Sequence, residues 1–246
     1  MATPGELCNK TAELLGFSPN TTAIAWRALR ENSQVTSGGR GRSASHCVPS
    51  DAANLLIATI GKLPLKSYLK SWERYSRLTE RGEAARPRSK QRELISLTTE
   101  IGGLKNGHTF QEGLTALIAS AMSGSLQDFF RDALDADEMV RGLGFVEVKF
   151  LGPYPQATIR IHKNNEKTSV GLSLSYSDIP TGMADVIKWS EKGFEPEESG
   201  DLQQITFISG RTIAGLGEFL RLDAGSLARR HQQSALQLPQ SKNRNE

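Results

Sequence analysis

The chain is poor in the residues that build metal and redox centres: its 246 residues include two cysteines and four histidines. Cys8 and Cys47 have 38 residues between them, which is no paired zinc or redox spacing, so two reduced and mostly buried thiols are expected. His46 adjoins Cys47, but neighbouring side chains on an extended segment point to opposite faces. His108, His162 and His231 are scattered, so no metal site and no cofactor are expected. Long apolar runs are missing too. The longest, around Leu55-Leu56-Ile57-Ala58, falls far short of the ~20 residues that cross a bilayer. Met1-Ala2-Thr3-Pro4-Gly5-Glu6 lacks the basic stretch and apolar run of a secretory signal, which makes the cytoplasm the expected compartment and a membrane an unexpected partner.

Catalytic signatures are equally scarce. There is no G-x-S-x-G elbow, no G-x-x-x-x-G-K-[ST] phosphate loop and no H-E-x-x-H zinc helix. The glycines of Gly210-Arg211-Thr212-Ile213-Ala214-Gly215-Leu216-Gly217 read as a turn and a helix cap. Asp132, Asp135 and Glu138, with Asp137 beside them, read as a solvated acidic stripe rather than a cation site. A non-catalytic protein is expected.

What is present is a globular composition, 37% hydrophobic and 23% charged, in a chain long enough for one large domain or two small ones. The net charge of +3 hides an asymmetry. Residues 1 to 92 hold 15 Lys+Arg against 7 Asp+Glu, and residues 93 to 246 hold 15 against 20. The first part therefore carries a surplus of 8 and the second a deficit of 5, which points to an N-terminal half that meets a polyanion.

The richest stretch is residues 11 to 45. Thr11-Ala12-Glu13-Leu14-Leu15-Gly16-Phe17-Ser18 leads into a second helical pattern that ends in Ser37-Gly38-Gly39-Arg40-Gly41-Arg42-Ser43. Small Ala12 lets two helices cross closely, and Gly16 can take the positive φ that ends the first. Ser18-Pro19 supplies an N-cap and a proline at the first helical position. The first 60 or so residues resemble the winged helix-turn-helix family of transcription regulators, with Ala12, Gly16, Phe17 and Leu29 near that family's framework positions. Thr22 stands where the family usually has a branched apolar residue, with Ile24 as the alternative packing residue. The basic segment 38 to 48 is also similar to the openings of regulators from prophages and other mobile elements of alphaproteobacteria.

The spacing predicts a first helix from about Gly5 or Glu6 to Leu15, with Leu7, Thr11, Leu14 and Leu15 inward. A second follows from Pro19 to about Asn32, with Thr22, Ala25 and Leu29 inward and Trp26 either packing or stacking on a base. Val35-Thr36 and His46-Cys47-Val48 are expected as short strands flanking a wing, Ser37 to Ser45, whose alternative reading is a solvated linker. Further helices are expected from Pro49 to Gly61, from Leu63 to about Glu80, from Thr109 to Met122 and from Ser125 to about Arg141. The Leu63 helix carries Lys62, Lys66, Lys70, Arg74, Arg77 and Arg81 on a face that is either phosphate-contacting or simply solvated. From Phe145 the period changes to two, predicting an antiparallel meander through Val146, Ile159 and Val170, then a strand at Ile205 to Ile208 and a helix from about Thr212 to Leu222.

The expected fold class is α+β: a winged helix-turn-helix domain with following helices over 1–81, an α+β oligomerisation or partner-binding domain over 93–228, and a disordered tail over 229–246. The expected function is a sequence-specific DNA-binding transcription regulator, a homodimer on double-stranded DNA. The residues expected to touch DNA are Ser18, Asn20, Thr21, Ala23, Arg27 and Arg30 from the second helix, and Arg40, Arg42 and Ser43 from the loop. A protein-interaction adaptor is the alternative, followed by an enzyme that processes nucleic acid.

Overall fold

A computed structural model describes residues 2–37, 46–61, 68–81, 98–131, 146–152, 155–164, 169–178 and 204–222. These form eight helices and one antiparallel sheet of five strands. In chain order they are α1 (Pro4–Leu15), α2 (Pro19–Glu31), α3 (Pro49–Ile60), α4 (Tyr68–Ser76), β1 (Thr79–Glu80), α5 (Thr99–Gly102), α6 (Phe110–Ser123), α7 (Ser125–Arg131), β2 (Val146–Gly152), β3 (Gln156–Asn164), β4 (Ser169–Ser177), β5 (Gln204–Ser209) and α8 (residues 210–222). Residues 229–246, the run from Asp132 to Glu138, and residues 82–92, read from their polar, basic and proline-broken sequence as an exposed loop or linker, lie outside the described residues.

Local chemistry sets the helix ends. Thr3 and Glu6 form a reciprocal cap at the start of α1, the Thr3 amide donating to Glu6 Oε2 at 2.9 Å and the Glu6 amide to Thr3 Oγ1 at 3.4 Å. Thr109 and Glu112 repeat the device on α6. Gly16 and Gly124 end α1 and α6 in the left-handed conformation, with φ of 70° and 95°.

The expected meander is present, β2, β3 and β4 pairing in sequence. Alternation puts Val146, Val148, Phe150, Ala157, Ile159, Ile161, Leu172, Leu174 and Tyr176 on the buried face. Both outer sides of the meander are occupied: β5 pairs with β2, and β1 with β4. Among the described strands β1 and β5 end the sheet, and Ile205 and Phe207 of β5 stand on its open face at 51% and 55% exposure.

β1 corrects one expectation. The helix anticipated up to Glu80 ends at Ser76, because the backbone of 78–81 is taken by other partners. Phe110 N donates to Leu78 O at 2.7 Å, Glu80 N to His108 O at 2.8 Å, and Arg81 N to Ser175 O at 2.8 Å. Three hydrogen bonds to distant backbone outweigh the helical pattern of the side chains.

The 210–217 glycines bring a second correction, since Gly215 and Gly217 lie inside α8 rather than in a turn or cap. A Cβ on Gly215 would lie 2.8 Å from Leu14 Cδ2 of α1, and one on Gly217 would lie 2.6 Å from the Ala121 carbonyl carbon of α6. Both are sites of close helix approach.

The core is continuous. α3 is buried along its length from Asp51 to Ile60 and touches α1, α2, α4 and α6. Phe110 of α6 stands edge-on to Phe150 of β2 at 5.3 Å and to Tyr176 of β4 at 5.2 Å. Tyr75 of α4 donates to Leu151 O at 2.8 Å, and Tyr176 meets His108 Nε2 at 2.8 Å, in space that a Cβ on Gly113 would fill. Residues before position 82 and after position 97 therefore contribute to one apolar cluster.

Candidate nucleic-acid interface

The candidate site is the pair α1 and α2 with the turn that joins them. Ala12 is buried at their contact, and its carbonyl accepts from Phe17 N at 2.9 Å while Glu13 O accepts from Gly16 N at 3.3 Å. Ser18 Oγ then accepts from Thr21 N at 3.3 Å and opens α2, with Pro19 at its first helical position. The chain thus reverses within Gly16-Phe17-Ser18, and each of these residues has a local reason to be there.

Thr22 settles the register of α2. It is fully buried, and its hydroxyl hydrogen is shared between Cys8 O at 2.9 Å and Pro19 O at 3.0 Å. The Cys8 thiol answers by donating to Thr22 O at 3.8 Å. A threonine can therefore occupy a slot that otherwise suits an apolar side chain, because its one polar group is satisfied across the helix pair. Ile24, the alternative packing residue, is instead 47% exposed. Trp26 packs in the core, beside Ala25 and Leu29 on the buried face.

The opposite face of α2 is open. Asn20, Ala23, Ile24, Arg27 and Arg30 are all exposed, and Asn20, Ile24 and Arg27 follow one another at spacings of four and three along a single stripe. Phe17, at 44% exposure, extends that stripe past the helix start. Ser18 is exposed at the turn, whereas Thr21 is half-buried and its hydroxyl lies 3.0 Å from Ser18 Oγ, so the pair acts first as a cap. Among the described residues Arg27 and Arg30 form no ion pair, while Lys10 on α1 is taken by Glu13 at 2.9 Å. Glu31 adds an exposed acid at the far end of the helix.

Arg40, Arg42 and Ser43 lie outside the described residues, but the two chain segments that lead to them do not. These are not paired strands, which corrects the expectation for Val35-Thr36 and His46-Val48. Val35 and Cys47 turn into the core, and Cys47 N donates to Ala2 O at 3.0 Å. The segments on either side of residues 38–45 are held instead by one carboxylate at the start of α3. Asp51, only 2% exposed, accepts from Thr36 N at 2.8 Å, Thr36 Oγ1 at 2.5 Å and Val48 N at 2.9 Å. Asn54, one turn on, donates to Gln34 O at 2.6 Å and accepts from Trp72 Nε1 at 2.9 Å. A helix start at Pro49 is legible in the sequence; the clasp of Asp51 on residue 36 has no local sequence signal.

Both cysteines are free and buried, as expected. Burial pushes the Cys8 thiol up to about 11, so it stays protonated and unreactive at neutral pH. No helix among the described residues is long and apolar enough to cross a membrane, and none of their His, Cys, Asp and Glu side chains group as a metal site. Comparison with protein-family models, with curated proteins and with solved structures finds no match to this chain.

Proposed function

We propose that this chain is a sequence-specific DNA-binding transcription regulator that acts without catalysis. The observation that carries the reading is the open face of α2. A helix whose buried side is fixed by Thr22, Ala25 and Leu29 presents Asn20, Ala23, Arg27 and Arg30 together, with two cations free to meet phosphate or base edges. In this reading α2 enters the major groove and Ser18 and Thr21 sit near a phosphate at its start. Arg40, Arg42 and Ser43, between the segments that Asp51 holds, contact the neighbouring minor groove or backbone. The N-terminal surplus of positive charge supports the same partner.

One helix and one loop cover few base pairs, so the regulator acts as a homodimer on two half-sites. The open face of the sheet at β5, with exposed Ile205 and Phe207, is the surface offered to the second copy. Glu147, Lys149 and Arg160 stand on the same open face, where Glu147 reaches Lys149 at 3.0 Å and Arg160 at 3.7 Å; that mixture of signs suits pairing of the face with itself.

Selection of bound duplexes from a random pool, followed by binding at increasing salt, is the test. A steep fall of affinity with salt and an enriched sequence are expected. Arg27→Ala then lowers affinity for the enriched sequence by about 1–3 kcal/mol with the fold intact. Weak, salt-insensitive binding with no enrichment would leave the adaptor reading in its place.

A further inference from the structure

The apolar residues on the outer face of α2 need their own explanation. Ile24 is 47% exposed and lies between Asn20 and Arg27 on the same stripe, with Ala23 beside it and Phe17 at its end. A branched aliphatic side chain at the centre of a solvent-facing polar stripe adds nothing to the core, since Thr22, Ala25, Trp26 and Leu29 already fill the buried side. Its position is where a helix lying in the major groove comes nearest the base edges. There the one apolar group that duplex DNA offers is the 5-methyl of thymine.

We infer that Ile24 is a specificity-determining residue that reads a thymine 5-methyl group in the major groove, with Ala23 completing the apolar contact. This rests on the DNA-binding reading of α2. Asn20, one turn earlier, has the paired donor and acceptor that match adenine, and Arg27, nearly one turn later, has the fork that matches guanine. The half-site therefore places an A·T pair whose thymine methyl faces Ile24 next to a G·C pair. The two arginines exposed on α2 favour a polyanion over an apolar protein groove as the occupant of this stripe.

The test uses the full chain and duplexes selected from a pool with a random core. In the enriched duplex each thymine is replaced in turn by deoxyuridine, which removes only the methyl group, and affinities are measured for the wild type and for Ile24→Ala. At one thymine the wild type should lose about fourfold, the factor expected for withdrawing one buried methyl-sized group. Ile24→Ala should bind the unmodified duplex more weakly and be nearly indifferent to the same replacement. Because Ile24 is exposed and alanine is a strong helix former, the variant should melt with the wild type. Equal losses in both proteins, or no thymine whose methyl matters, overturn the inference while leaving the regulator reading standing. Failure to enrich any duplex overturns both.

Discussion

Gly217→Ala tests the packing on which the fold depends most directly. The new methyl carbon would lie 2.6 Å from both the carbonyl carbon and Cβ of Ala121 and 2.7 Å from Met122 N. Carbon atoms in good contact sit ~3.5–4.0 Å apart, so α8 must move away from α6 by about 1 Å. None of the three atoms is the end of a flexible side chain, and none can rotate aside. Overpacking of this kind costs about 1–3 kcal/mol, and backbone neighbours put the site at the upper end. Against this, alanine is better than glycine in a helix interior by roughly 0.5–1 kcal/mol. The net expectation is a loss of about 2 kcal/mol. Denaturant unfolding followed by tryptophan fluorescence reads it as a lower midpoint at unchanged slope. Gly5→Ala in the first turn of α1, where a Cβ would meet nothing within 4 Å, is the control and should be neutral or stabilising. A Gly217→Ala protein as stable as the wild type would mean that α6 and α8 do not cross backbone to backbone.

Other substitutions probe single interactions. Asp51→Ala leaves Thr36 N and Val48 N without their acceptor and should cost about 3 kcal/mol in a thermal melt, given ~1.5–3 kcal/mol for a hydrogen bond to a charged group; a loss under about 1 kcal/mol would refute the clamp. Glu112 is held below the ordinary carboxylate range by the Thr109 amide and then the Thr109 hydroxyl. Its contribution is therefore present above that range and lost as pH falls through the lowered value, so Glu112→Gln should flatten the acid decline in stability, and an unchanged decline would count against the cap. Cys8, raised to about 11 by burial, should resist thiol reagents at neutral pH until denaturant is added, as peptide mapping would show; complete labelling of native protein at Cys8 would contradict its burial.

Elements whose causes are local were readable in the sequence. Gly16, Ser18-Pro19 and Gly61 mark helix ends through bonds within a few residues, and the alternation from Val146 to Tyr176 gives the meander directly. The open face of α2 was legible for the same reason, since periodicity alone separates Asn20 and Arg27 from Ala25 and Leu29. What escaped depends on distant partners. Thr79 and Glu80 become a strand only because β4 and the backbone of His108 are there to pair with. Gly215 and Gly217 look like a turn until Leu14 and Ala121 are set beside them. Thr22 looked unsuited to its slot because the acceptor that satisfies it, Cys8 O, lies 14 residues away.

The same dependence on distant partners links the candidate site to the rest of the molecule. α2 is held in place by α3, and α3 is buried on every side because α6 covers what α1, α2 and α4 leave open. α6 in turn rests on the sheet through Phe110, while Tyr75 fixes α4 to the backbone of β2. α3 is buried all round, its polar Asp51 and Asn54 included, and its Leu55, Leu56, Ile57 and Ile60 need α6 as well as the N-terminal helices to cover them. The exposed face of α2 and the positions of Thr36 and Val48 are therefore set by a core that extends into the sheet. A substitution that shifts the sheet against α6 therefore acts, through α3, on the element that carries Asn20, Ile24 and Arg27.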